Sequence, residues 1–274
     1  MNSGMQPKAQ RSSRNKKAPR IATLKKGVYI LPNFLTSLSL FCGFVSIVAS
    51  LQGDFVKAAW AIVVASVFDG LDGRIARMTK TTSRFGVEYD SLSDLVAFGV
   101  APAVLAYSWV LSGWGRWGWM AAFLYVACGA IRLARFNVQT ATSKGSYFTG
   151  LPIPAAAGMV ATTTIFCLHI GASDKQLLRI CFLLAIYVLG FLMVSTISYQ
   201  SFKQIDFKSR TPFNSVILAV LLIYVVALEP QLMLFVMALV YAFSGPAALV
   251  GRLVRSRKAS QPVVQSMTVN KEQR

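Results

Sequence analysis

Histidine and closely spaced cysteines, which supply many nucleophile pairs and zinc sites, are nearly absent from this sequence. The one histidine, His169, lies inside an apolar run, so the sequence offers no Ser–His pair. The four cysteines also lie in apolar runs and show no metal-ligand spacing. We expect all five side chains to be structural, with the cysteines packing as small hydrophobic residues. The cysteines are Cys42, Cys128, Cys167 and Cys181.

Charged residues are scarce as well, at 14% of the chain against about a quarter in a typical soluble domain. Hydrophobic residues make up 55% and fall in runs of about twenty, the length a helix needs to cross a hydrocarbon core of about 30 Å. The sequence therefore predicts one membrane domain and no separate soluble domain. Segment 1–26 is basic and has no apolar stretch, so we do not interpret it as a cleavable signal peptide.

The apolar runs predict an all-α bundle of about eight membrane-spanning helices. A basic arm (1–29) precedes the membrane domain (30–251), and a polar tail (252–274) follows it. We expect the first six spans (30–200) to form the core, with two further spans (212–251) at the periphery. The predicted spans are about 30–51, 55–77, 88–111, 118–140, 151–171, 176–200, 212–228 and 231–251.

Basic residues are distributed unevenly between the two sides that this topology defines. The two ends and the loops after the second, fourth and sixth spans hold 24 of the 28 lysine and arginine residues. The opposite side holds only Lys57, Arg116, Lys175 and Arg179. By the positive-inside rule, both termini are expected in the cytoplasm, with the protein in the cell (inner) membrane. The formal charge of +18 then reflects topology and attraction to anionic lipids, and it requires no nucleic-acid partner.

Acidic residues number only ten, yet five of them fall between Asp69 and Asp94. Asp69 and Asp72 are three residues apart near the end of the second span, so they share a helix face. Asp90 and Asp94 are four residues apart near the start of the third span and do the same. Each carboxylate at membrane depth costs roughly 3 kcal/mol, so bound cations or basic partners are expected to offset the cost.

Cations are the better explanation of this aspartate cluster. Oxygen ligands without histidine or cysteine suit Mg²⁺ or Mn²⁺, and four carboxylates suffice for two such ions. Small residues surround the cluster and allow a ligand to approach closely, while Arg77, one turn beyond Gly73, is placed to hold an anion. The alternatives are a structural network of Asp–Arg ion pairs and a cation transporter. Transporters place such charges near the middle of the membrane rather than near one face.

The spacing of this region resembles the full signature of the CDP-alcohol phosphotransferase family, with all eight fixed positions filled. These are Asp69, Asp72, Gly73, Ala76, Arg77, Gly86, Asp90 and Asp94. The resemblance implies that the four aspartates bind two divalent ions, which hold the diphosphate of a CDP-linked lipid such as CDP-diacylglycerol. It also implies that Asp94 is the base that deprotonates an acceptor alcohol. Nucleotide contacts are expected from Gly73, Arg77 and Ser83, and from Asn33 and Thr36 in the first span. The family resemblance further suggests a homodimer.

The acceptor alcohol is not specified by this signature. The segments Arg132–Asn137 and Phe148–Pro154 resemble the branch of the family that uses L-serine, which is our leading hypothesis. Arg132 and Arg135 are three residues apart on one helix face and would suit a serine carboxylate or a lipid phosphate. The alternatives are that they are only topogenic loop charges, and that the acceptor is glycerol 3-phosphate or inositol phosphate.

Overall fold

The computed structural model describes residues 20–79, 83–142, 150–172, 175–197, 199 and 229–259. Within these residues the chain is helical throughout and contains no strand, as the apolar pattern predicts. The helices are α1 (Arg20–Leu51), α2 (Phe55–Thr79), α3 (Arg84–Asp94), α4 (Ala101–Trp109), α5 (Arg116–Thr142), α6 (Ile153–His169), α7 (Gln176–Val194) and α8 (Pro230–Ala259). A π-helical segment, Leu95–Val100, joins α3 to α4, and a 3₁₀ turn, Leu111–Trp114, precedes α5.

Five stretches of the described part are long and apolar enough to cross a membrane, so the protein is a multi-pass membrane protein. They are Leu31–Leu51, Arg84–Trp109, Arg116–Gln139, Gln176–Val194 and Pro230–Leu249. Two other predicted spans correspond to α2 and α6. Helix α2 has 25 residues but carries charged side chains in its last turns, and α6 has 17 residues. The predicted span 212–228 lies outside the described residues, so the count of eight stays a prediction.

Helix α1 begins before its apolar part, which spans Leu31–Leu51 and agrees with the predicted span 30–51. The helix starts at Arg20, inside the segment 1–29 predicted as a basic arm, and runs without a break through Pro32. The expected boundary near residue 30 rested on hydropathy, which reports where the apolar part begins and not where the helix begins. Residues 24–26, Leu-Lys-Lys, have high helix propensity, so the helix continues beyond the apolar stretch.

The packing of the first helices sets the position of the aspartates. Helices α1 and α2 make the most extensive helix contact in the described part, and α3 and the π-helical segment both pack against α1. Further along the chain, α5 packs against α7, and α6 packs against α2 and α8. The end of α2 and the start of α3 therefore meet beside α1, as expected for antiparallel helices joined by a short loop.

Candidate active site

Three carboxylates converge where α2 and α3 meet. One oxygen from each of Asp69, Asp72 and Asp90 lies within 4.8 Å of the other two. Asp72 is buried, and the other two are partly buried. The Oδ1 atom of Asp90 is shielded from solvent and has no hydrogen-bond partner within the described part of the protein. Three like charges this close repel one another strongly away from bulk water, so the cluster needs a positive charge to offset the repulsion.

The fourth aspartate, Asp94, lies beside this triad and not within it. Its carboxyl group is close enough to that of Asp69 for a hydrogen bond between them. Asp94 is the last residue of α3, one turn beyond Asp90. All four aspartates therefore lie close together, and the assignment of Asp94 as a fourth metal ligand stays a prediction.

Thr36 connects the triad to α1. Its hydroxyl lies 2.8 Å from Oδ2 of Asp72 and 3.1 Å from the carbonyl oxygen of Pro32. The single hydroxyl proton can be donated to only one of them at a time. The carbonyl oxygen of Thr36 in turn accepts a 3.0 Å hydrogen bond from the hydroxyl of Ser93. Sequence reasoning assigned Thr36 to nucleotide binding, which stays a prediction, and the buried Thr36 side chain also contacts Asp72.

A cleft opens beside the triad between α1, α2 and α3. It is lined by Pro32, Asn33, Thr36, Asp72, Gly73, Ala76, Ser83, Gly86, Val87 and Asp90. Four of the five residues expected to contact the nucleotide are thus brought to one cleft together with two of the aspartates. The fifth is Arg77, whose side chain lies outside the described part, so its assignment stays a prediction.

Ser83 caps the helix that carries Asp90 and Asp94. Its side-chain oxygen accepts a 2.9 Å hydrogen bond from the backbone N–H of Gly86, a typical N-cap arrangement. A Cβ atom on Gly86 would lie 3.1 Å from the Ser83 hydroxyl and 3.2 Å from Oδ1 of Asn33. Glycine at this position therefore lets Asn33, Ser83 and the start of α3 approach one another closely.

The two arginines at the end of α5 have different environments. Arg135 donates from Nη1 to the carbonyl oxygen of Val194 at 2.9 Å and from Nη2 to that of Ser195 at 3.3 Å. These bonds satisfy carbonyls that the end of α7 leaves without helical partners. Arg132 is 7% exposed, and its Nε has no hydrogen-bond partner among the described residues. The Arg132 guanidinium interacts electrostatically with Asp94 and with Tyr241 of α8.

Several polar contacts at the site were not found by sequence reasoning. The side chains of Ser91 and Asn137 are hydrogen-bonded, with Asn137 Nδ2 donating to Ser91 Oγ at 3.0 Å, and they join α3 to α5. The hydroxyls of Ser37 and Tyr89 lie 2.8 Å apart and join α1 to α3. The available signal was the polar run from Asp90 to Asp94 inside an otherwise apolar span, in which the two serines separate the aspartates.

The donor set fits a divalent cation such as Mg²⁺ or Mn²⁺. All of its atoms are carboxylate oxygens, which these hard cations prefer. The unpartnered Oδ1 of Asp90 provides an acceptor that nothing in the described protein satisfies. Asp69, Asp72 and Asp90 are the residues that would hold the ion.

Comparison with known proteins identifies related sequences across most of the chain. Residues 29–192 match the family model described as CDP-alcohol phosphatidyltransferase. The CDP-diacylglycerol–serine O-phosphatidyltransferase of Helicobacter pylori is 40% identical over 235 residues, covering 85% of this chain and 98% of that protein. The enzyme of the same name from Mycobacterium leprae is 38% identical over 229 residues, covering 80% of this chain and 74% of that protein.

An archaeal relative extends the comparison beyond bacteria. The archaetidylserine synthase of Methanothermobacter thermautotrophicus is 39% identical over 171 residues, which cover 62% of this chain and 69% of that protein. The names of all three relatives refer to serine or to a serine lipid. The matched residues 29–192 include all four aspartates, the cleft beside them and both arginines of α5.

Proposed function

Because this chain belongs to the CDP-alcohol phosphatidyltransferase family, we propose that it transfers the phosphatidyl group of CDP-diacylglycerol to L-serine, giving phosphatidylserine and CMP. The observation that carries the proposal is the convergence of Asp69, Asp72 and Asp90 beside a cleft lined by Asn33 and Gly73. A carboxylate cluster open to such a cleft suits a substrate whose diphosphate is bound through cations. The names of the bacterial relatives support serine as the acceptor.

Asp69, Asp72 and Asp90, with Asp94 beside them, are proposed to hold two divalent ions, Mg²⁺ or Mn²⁺. When bound, such ions neutralise the negative charge on a diphosphate and on the departing CMP. The protein contributes the arrangement of the ligands: Thr36 orients Asp72, and Ser83 fixes the start of the helix that carries Asp90. The residues proposed to contact the cytidine diphosphate group are Asn33, Thr36, Gly73, Arg77 and Ser83.

Asp94 is proposed as the general base. Its carboxylate removes the proton of the serine hydroxyl as the serine oxygen attacks the phosphorus attached to diacylglycerol. A new P–O bond to serine forms while the P–O bond to CMP breaks, so no covalent enzyme intermediate is required. The position of Asp94 next to the triad supports a carboxylate that contributes to the metal site and lies close to the diphosphate.

Arg132 is proposed to bind the carboxylate of serine. It is buried, has an unpartnered Nε and lies near Asp94, so an anion held by Arg132 would place its hydroxyl close to the base. Arg135 of α5 is proposed to contribute to the acceptor site as well, while it donates to carbonyls at the end of α7. The charge asymmetry of the loops supports a cytoplasmic active site, where serine is available. Association with anionic lipids and a homodimer are proposed as well.

Purified protein in detergent or vesicles, with CDP-diacylglycerol, Mn²⁺ or Mg²⁺ and one alcohol at a time, tests this assignment. CMP release is expected with L-serine, and no release is expected with glycerol 3-phosphate or inositol phosphate. Release with a phosphorylated alcohol and none with serine would replace the proposed acceptor while keeping the reaction. Cation flux through vesicles without CMP release from any alcohol would contradict the enzyme assignment.

Replacing Arg132 with glutamine is expected to raise the KM for serine at least about tenfold, because a charge-assisted hydrogen bond contributes about 1.5–3 kcal/mol. The KM for CDP-diacylglycerol is expected to stay within about twofold. The matched control is Arg135→Gln, which removes donors to the Val194 and Ser195 carbonyls. We expect that variant to lower thermal stability more than serine affinity. Equal KM values for serine in wild type and Arg132→Gln would contradict the role of Arg132.

Replacing Gly73 with alanine is expected to weaken the binding of CDP-diacylglycerol without lowering the stability of the protein. No heavy atom lies within 4 Å of a Cβ built on Gly73, and alanine favours an α-helix by about 1 kcal/mol over glycine. The variant should therefore fold at least as stably as wild type, while its new methyl group occupies the cleft and raises the KM for CDP-diacylglycerol. Gly158→Ala is the control, because Gly158 on α6 also has open space and does not line the cleft. Unchanged kinetics for Gly73→Ala would show that substrate does not approach there.

A further inference from the structure

The helix that carries Asp94 changes its geometry directly after that residue. From Leu95 to Val100 the chain is π-helical, and the N–H of Ala101 donates to the carbonyl oxygen of Val96, five residues back. A π-turn accommodates one extra residue and rotates the helix before it relative to the helix after it. Such turns are rare and are found mostly at functional sites. The direction of the Asp94 side chain relative to α4 therefore depends on this segment.

One carbonyl in the π-helical segment accepts a hydrogen bond from another helix. In an α-helix the carbonyl of Phe98 would accept from the N–H of residue 102, but residue 102 is Pro102, which has no N–H. The hydroxyl of Tyr125 on α5 donates to the Phe98 carbonyl oxygen instead, at 3.2 Å. Tyr125 and Phe98 are both fully buried. A buried carbonyl without a partner is destabilising, so this bond stabilises the irregular turn.

Helix α1 packs closely against the same segment. A Cβ atom on Gly43 would lie 2.7 Å from the Cα of Ala97, closer than packed atoms normally approach. Glycine thus allows the backbone of α1 to lie directly against the π-helical segment, and both Gly43 and Ala97 are buried. The turn is therefore contacted by α1 at Ala97 and by the Tyr125 hydroxyl at Phe98.

We propose that Tyr125 is a positioning residue for Asp94, which acts by holding the Phe98 carbonyl and with it the π-turn that orients the proposed base. This inference rests on the proposed role of Asp94. Tyr125 donates to the Phe98 carbonyl and not to an aspartate, so its effect passes through the three residues between Asp94 and Phe98. Misplacing a catalytic group by about 1 Å can cost on the order of a hundredfold in rate.

Tyr125→Phe tests the proposal because it removes the hydroxyl and keeps the ring. We expect kcat for CMP release to fall about 10- to 100-fold, with the KM for serine and for CDP-diacylglycerol within about twofold of wild type. The control is Tyr187→Phe, which removes a hydroxyl that donates to the carbonyl oxygen of Trp117 at 3.1 Å, near the other end of α5 from Arg132. We expect that variant to keep the wild-type kcat.

A second variant tests the pairing with Phe98 itself. Pro102→Ala restores an N–H that can donate to the Phe98 carbonyl, so the loss of kcat caused by Tyr125→Phe should shrink in the Pro102→Ala background. Wild-type kcat in Tyr125→Phe, or an undiminished loss in the double variant, would overturn the inference. Equal losses of kcat in Tyr125→Phe and Tyr187→Phe would overturn it too. If Asp94→Asn keeps the wild-type kcat, the proposed base itself is wrong. If Asp94→Asn is inactive but Tyr125→Phe keeps the wild-type kcat, only this inference is wrong.

Discussion

CMP release from CDP-diacylglycerol and serine is expected to fall about a hundred- to ten-thousand-fold when Asp94 is replaced by asparagine, the range typical for loss of a general base. Asparagine has nearly the same size as aspartate and can still hydrogen-bond to Asp69, so the fold of the site should persist. It cannot accept the proton of the serine hydroxyl. The loss should therefore appear in kcat, while binding of Mn²⁺ stays partly intact because Asp94 lies outside the carboxylate triad.

Asp54→Asn is the matched control for this experiment. Asp54 is an exposed acid before α2, and its Oδ1 accepts a 3.1 Å hydrogen bond from the N–H of Lys57. Asparagine serves as well as aspartate at such a helix start, so this variant should keep full activity. Initial rates of CMP release at saturating serine and CDP-diacylglycerol measure the effect. An Asp94→Asn variant with wild-type kcat would contradict the assignment of the base.

Thermal unfolding of the wild-type protein is expected to shift upwards when Mn²⁺ or Mg²⁺ is added, and Asp90→Asn is expected to remove most of that shift. An ion at a hundred times its Kd stabilises the folded state by about 2.7 kcal/mol. Without metal, Asp90→Asn should be at least as stable as wild type. The substitution removes one of three repelling carboxylates, whose Oδ1 is buried and has no partner in the described structure.

The metal experiment needs no substrate, so its result is independent of the acceptor. Asp54→Asn again serves as the control, and it should show the full wild-type shift with added metal. A metal-induced shift of wild-type size in Asp90→Asn would mean that Asp90 is not a ligand. A metal-free Asp90→Asn protein that unfolds well below wild type would mean that Asp90 makes a structural contact rather than an electrostatic conflict.

The helical fold and the closeness of the four aspartates could be predicted, because both depend on spacings between residues that are near one another in the sequence. Apolar runs of about twenty residues predict helices, and spacings of three and four residues place Asp69 with Asp72 and Asp90 with Asp94. A short loop between two antiparallel helices then brings the two pairs together. The family resemblance is confirmed by the match over residues 29–192.

The features that sequence reasoning missed depend on contacts between distant helices. The spacing of Arg132 and Arg135 indicates a common helix face, but it cannot show that the end of α7 lies within reach of Arg135. The π-turn after Asp94 leaves no mark in hydropathy, although Pro102 was a sign that one carbonyl in the preceding turn would lack its donor. The early start of α1 was missed because hydropathy does not detect a polar helix.

The contacts of Thr36 also determine how a displacement of α1 would affect the aspartates. Its hydroxyl touches Asp72, and its carbonyl is bonded to Ser93, the residue immediately before Asp94. Thr36 of α1 therefore contacts both one carboxylate of the triad and the residue next to the proposed base. If the lipid bilayer or a bound substrate displaces α1, both groups are expected to be carried in the same direction. The distance between Asp72 and Asp94 would then be preserved, even though both side chains move together with α1.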